Sequence, residues 1–128
     1  MNVSVLKSKI HKARVTQADL HYEGSLGIDQ DIMDEIGLHP WEKILVVNVN
    51  TGARLETYAI SAPRGSKVFL LNGAAARTGD VGDTIIIMAF GQISEEEAKD
   101  FLPKVVVLDE NNNIEVRKGA LTPVAALN

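Results

Sequence analysis

Short stretches rich in Val, Ile and Leu, each closed by turn-forming residues, recur along this chain and restrict it to a fold based on sheet. The stretch 3–19 is rich in β-branched residues and alternates loosely, as a half-buried strand does, until Tyr22-Glu23-Gly24-Ser25 interrupts it. Residues 43–49 and 54–61 read as two strands joined by the hairpin turn Asn50-Thr51-Gly52. The loop Ala62-Pro63-Arg64-Gly65 leads to a strand over 66–71 and then to a small-residue segment, Asn72 to Ala76. Gly79-Asp80-Val81-Gly82-Asp83 forms a turn that launches the apolar strand 84–90, and strands 105–108 and 114–116 flank the polar turn 110–113. Helical signals are brief. Asp29 caps a helix that reaches Ile36, with Ile28, Ile32 and Ile36 on one face and Gly37 as its stop. Ser94 and Glu97 make a capping box for a second helix, to about Phe101. Many short strands and two small helices predict a compact, mainly β barrel. Pattern alone does not order the strands.

The 128 residues suit one domain, and no repeat, linker or low-complexity tract divides them. A hydrophobic fraction of 45% is enough for a real core. The net charge of -4, with acids and bases interleaved, argues against a nucleic-acid partner, which would call for a basic patch. The absence of cysteine excludes disulfides, thiolate metal sites and cysteine nucleophiles. His11, His21 and His39 are scattered and lack metal-ligand spacing, so no metal site is expected. The longest apolar run, Ile85 to Phe90, is too short to span a bilayer, and the chain begins with no secretory leader. The expectation is a soluble cytoplasmic protein without a membrane partner.

The chemistry concentrates at Gly24-Ser25. A serine hydroxyl can attack the carbonyl of the peptide bond before it, turning the amide into an ester, and a glycine there tolerates the strained backbone this needs. The stretch Ala18-Asp19-Leu20-His21-Tyr22-Glu23-Gly24-Ser25 closely resembles the self-cleavage site of the pyruvoyl-dependent L-aspartate 1-decarboxylases. Three further segments match the same family in order: Lys9-Ile10-His11, then Arg54 with Thr57-Tyr58-Ala59-Ile60, then Asn72-Gly73-Ala74-Ala75-Ala76 followed by Val81-Gly82-Asp83. Four collinear matches over nearly the whole chain are far more specific than any one of them. Leu26 and Arg77 depart from residues found in some relatives without removing a catalytic group.

The resemblance implies a double-psi β-barrel over residues 1–128, cut between Gly24 and Ser25 into a β chain, 1–24, and an α chain, 25–128. It implies that Ser25 becomes a covalent pyruvoyl group, which forms a Schiff base with L-aspartate and directs its decarboxylation to β-alanine and CO2, supplying pantothenate and coenzyme A synthesis. Tyr58 would donate the proton to Cα. Lys9 and Arg54 would bind substrate carboxylates, for which a planar guanidinium is well suited. Which carboxylate Arg54 binds stays open. Thr57 would serve maturation and substrate contact, and Asn72, Gly73, Ala74 and Ala75 would line the pocket. Lys7, Lys9 and His11 fall on one strand face by alternation, and Asp29, Asp31, Asp34 and Glu35 read as a solvated acidic helix face. A homotetramer with sites between subunits is expected, so within one chain Ser25 would be open to solvent and distant from Lys9 and Arg54. Unaided maturation and a maturation factor both fit the sequence. The competing reading is a non-catalytic β-barrel that binds a partner, which has no need of Gly24-Ser25 together with Tyr58 and Arg54.

Overall fold

The structure, a computed structural model, describes residues 1–118. The end of the expected α chain, 119–128, lies outside the described residues. Nine strands run in chain order as β1 (Asn2–Arg14), β2 (Gln17–Asp19), β3 (Leu26–Asp29), β4 (Lys43–Asn48), β5 (Arg54–Ala62), β6 (Phe69–Asn72), β7 (Thr84–Ser94), β8 (Lys104–Leu108) and β9 (Ile114–Lys118). Two short helices, α1 (Gln30–Glu35) and α2 (Glu95–Ala98), and a 3-10 turn, Gly73–Arg77, complete them.

The strands lie in the order β2-β6-β3-β5-β4-β7-β1-β8-β9. β1 and β2 are one extended stretch broken only at Val15-Thr16, so the strand at one end of this order continues into the seventh and the sheet closes on itself. The result is a mainly β barrel, with β8 and β9 added outside the closure. Pairing is mixed. β3 runs parallel to β5 and β2 to β6, whereas β4 is antiparallel to both β5 and β7, which separates this barrel from a simple up-and-down one.

The closing corner is tied by backbone and carboxylate. Val15 N donates to Asp83 O at 2.9 Å, Gly82 N donates to Val15 O at 2.9 Å, and Thr16 N donates to Phe69 O at 2.9 Å. Asp83 in turn accepts from Asp80 N and from the Asn48 amide, both at 2.9 Å. Those two donors hold its carboxyl below the usual value, because they favour the charged form. β1 bends twice to follow the barrel, with register shifts between Leu6 and Ser8 and between Ile10 and Ala13; Lys12 takes φ 64° in the second. The inward face is apolar: Ile10, Leu26, Ile28, Phe69, Ile85 and Ile87 are all essentially inaccessible. Ile32 and Met33 of α1 are buried as well.

Several expected boundaries move. The four-residue strand β3 lies just past the interruption at 22–25, in a stretch where no strand was anticipated and Asp29 was expected to open a helix. α2 stops at Ala98 rather than near Phe101, because Ser94 caps it but no apolar face holds its next turn. Asp29 is not solvated. It is 2% exposed and accepts backbone N–H bonds from Asp31, Gly65 and Lys67, which fastens the 63–67 loop to α1. Alternation does not keep Lys7 beside Lys9, since Lys7 occupies the first bulge and pairs with Glu42 at 2.8 Å.

Candidate active site

Ser25 stands immediately before β3, where three strands meet. Leu26 pairs with Ala59 of β5 on one side and with Leu71 of β6 on the other. Extending both registers by one residue sets Ser25 between Tyr58 and Asn72, and the Asn72 N–H donates to Ser25 O at 3.1 Å. A cleft of about 430 Å³ is lined by Gly24, Ser25, Thr57, Tyr58, Asn72 and Ala75, among others. Residues far apart in sequence, chosen for their resemblance to a cleavage site and a substrate pocket, therefore share one cavity wall. Thr57 and Tyr58 both line it, although neighbours in a regular strand point to opposite faces.

Ser25 is only 5% exposed, which corrects the expectation of an open serine in a single chain. The closely packed β3 neighbours shield it before any second chain is considered. Gly24 adopts φ 106°, a region closed to ordinary side chains. The turn that presents it is held by Asp19, whose carboxylate accepts from His21 N at 3.0 Å. On the opposite side, Gly73 at φ 58° lets the 3-10 turn approach closely. A Cβ there would lie 3.4 Å from Tyr22 O and 3.7 Å from Gly24 O, the carbonyl that precedes Ser25.

Asn72 is the most unusual residue of the site. It is 1% exposed, yet neither its amide nitrogen nor its amide oxygen has a hydrogen-bond partner. A buried, unpaired amide costs about 1–3 kcal/mol, and such groups are rare enough to point to a ligand or a reacting species. Asn72 lines the same cleft as Gly24 and Ser25, and an unengaged amide N–H is the kind of donor an oxyanion needs.

Lys9 and Arg54 line neither this cleft nor the next. The ladder runs Lys9–Met88–Leu45–Glu56, which puts Lys9 three strands from the cleft wall, roughly 14 Å at the usual strand spacing. Arg54 is exposed, four residues and about 13 Å along β5 from Tyr58. Neither has a carboxylate partner among the described residues. Among the described residues, no group of three His, Asp or Glu could hold a metal ion, and no helix is long and apolar enough to cross a membrane.

A second, larger cleft of about 760 Å³ shares Gly24 and Tyr58 with the first and adds His21, Tyr22, Pro40 and Trp41. Trp41 stacks on Tyr58 with ring centroids 5.7 Å apart and planes inclined by 26°. Sequence reasoning passed over Trp41. The available signal was a single tryptophan between Pro40 and Glu42, at the head of an apolar strand where a core residue would not be placed.

A buried serine behind a left-handed glycine, with an unpaired amide lining the same cleft, is an arrangement suited to chemistry at a backbone carbonyl. The aspartate decarboxylase family model matches residues 1–115. An aspartate 1-decarboxylase of Leptospira biflexa is 57% identical over 113 residues, covering 88% of this chain and 96% of the relative. One from Phenylobacterium zucineum is 52% identical over 120 residues, covering 94% of this chain and all of the relative. One from Ruminiclostridium cellulolyticum is 52% identical over 114 residues, 89% of either chain. The chain belongs to the aspartate decarboxylase family.

Proposed function

We propose that this protein is made as a precursor that cuts itself between Gly24 and Ser25 and then decarboxylates L-aspartate to β-alanine and CO2 in the cytoplasm, supplying pantothenate synthesis. The observation that carries the proposal is the junction itself: Gly24 at φ 106°, Ser25 buried, and the orphaned Asn72 amide at its side.

In cleavage, the Ser25 Oγ adds to the Gly24 carbonyl and the C–N bond breaks, leaving an ester and a free amine on residue 25. Asn72 Nδ2, which has no other partner, serves as the donor to the developing oxyanion. Elimination then releases residues 1–24 with a carboxylate on Gly24 and leaves a dehydroalanine, which takes up water and loses ammonia to become pyruvoyl.

The residues present suit that group. The cleft at position 25 is open to a small substrate, and Asn72 offers an amide with no other engagement. A pyruvoyl group supplies a ketone that draws electrons from the substrate carbon as CO2 leaves. The chain does the rest. Tyr58, on the wall opposite Asn72, carries the phenol that returns a proton to Cα. Ala74 and Ala75 keep the wall low, so a small substrate reaches the backbone, and Thr57 contacts the Gly24 side. Lys9 and Arg54 bind the two carboxylates. Their distance from Ser25 within one chain supports a site shared between subunits of a homotetramer, where cations from a neighbour offset the desolvation of a dicarboxylate.

The test is Ser25→Ala. It removes the attacking hydroxyl and the cofactor precursor together, so a denaturing gel should show one uncut chain, and no CO2 should be released from L-aspartate. Release of CO2 by the uncut variant would end this reading and leave the barrel as a binding module.

A further inference from the structure

We infer that Trp41 is a positioning residue for Tyr58, fixing the angle at which its phenol faces the Ser25 cleft; this rests on Tyr58 acting as the proton donor.

Three observations converge on Trp41. The residue is 75% exposed, so it is not held by the core. Its backbone sits at φ 72°, a conformation a bulky residue rarely adopts. Yet it is held firmly. Trp41 N donates to Ala59 O at 2.7 Å, and Ala59 N donates to Glu42 O at 3.0 Å, so the turn is laced to the residue next to Tyr58. The Glu42 carboxylate closes the turn from the other side. It accepts His39 N at 3.0 Å and both contacts of the Lys7 ammonium at 2.8 Å.

The net effect of this bracing is to place one aromatic plane over another. Tyr58 lies on a strand bordering two clefts and lines both. An indole stacked against the phenol ring limits its rotation. Proton transfer to a carbon is sensitive to such placement; an error near 1 Å costs about 100-fold. An exposed tryptophan in a left-handed turn has no evident use to stability, whereas one that orients a proton donor does.

The experiment removes the indole without disturbing the turn. Glycine is the residue that φ 72° favours, so Trp41→Gly should fold with a thermal midpoint no lower than the parent. The purified variant, fully cut as judged by a gel, should show kcat on L-aspartate reduced roughly 10-fold to 100-fold with KM nearly unchanged. Trp41→Phe, which keeps a flat ring over Tyr58, should recover most of that loss. In a Tyr58→Phe background, Trp41→Gly should reduce kcat no further, because there is no phenol left to place. An undiminished kcat in Trp41→Gly, or an equal loss in both backgrounds, overturns the inference while leaving the decarboxylase reading intact. Full turnover in cut Tyr58→Phe overturns the donor role and this inference together.

Discussion

Replacing Asn72 with alanine should leave the precursor as stable or more stable while slowing its cleavage, an outcome opposite to the usual one for a buried position. The Asn72 amide is 1% exposed and has no partner at either polar atom. Unfolding returns it to water, so the folded precursor carries a penalty of about 1–3 kcal/mol that alanine removes. The substitution also opens a void of about 30 Å³; at ~24 cal/mol per Å³ that costs about 0.7 kcal/mol. The balance runs from near zero to about 2 kcal/mol in favour of alanine. Loss of one oxyanion donor typically slows a reaction about 10²–10³-fold, and the same factor is expected for appearance of the two fragments. Stability must be compared on uncut protein. Urea unfolding of Ser25→Ala against Ser25→Ala/Asn72→Ala gives that comparison, and timed denaturing gels of Asn72→Ala with Ser25 intact give the cleavage rate. A double variant less stable than its parent by more than about 1 kcal/mol would mean the amide is satisfied in the folded chain. Parental cleavage kinetics would mean it is not the donor.

If Lys9 serves the Ser25 of a neighbouring subunit, co-expressed Lys9→Ala and Ser25→Ala chains should form mixed oligomers with measurable activity although each alone has none; mixed oligomers as inactive as either parent would return Lys9 to its own chain. Acid stability should depend on Asp83. Its folded-state pKa is lowered by the Asp80 N–H and the Asn48 amide, so its contribution is complete above the unfolded value of 3.8 and is lost as pH falls through the lower folded value. Asp83→Asn should therefore flatten the dependence of unfolding free energy on pH below about pH 4, and parallel curves for the two proteins there would show that the closing corner draws nothing from this charge.

Local chemistry made much of the molecule legible before any coordinate was considered. The β-branched runs become β4, β5 and β8 close to their expected limits, and β7 starts at Thr84 as expected but runs on to Ser94, because side-chain branching and turn residues act within a few positions. Asp29 accepts from Asp31 N, and Ser94 accepts from Glu97 N at 3.1 Å, as their spacing requires. The stretch 18–25 was legible through its resemblance to one family, since a Gly-Ser pair alone is an ordinary turn signal.

What lay beyond the sequence depends on contacts between distant segments. β3 is four residues with a glycine among them and has no strong propensity of its own; it is a strand because β5 and β6 offer ladders on both sides. That same pairing buries Ser25, sets it between Tyr58 and Asn72, and strips the Asn72 amide of water, which no property of residue 72 alone foretells. Trp41 gains its meaning only when the turn before β4 is fastened to Ala59 and its ring settles on Tyr58. Sequence specified which groups the chain carries and where its backbone turns, since those follow from short-range sterics. Only closure of the barrel decided which groups share a cavity and which are denied solvent, because pairing and burial are properties of the whole sheet.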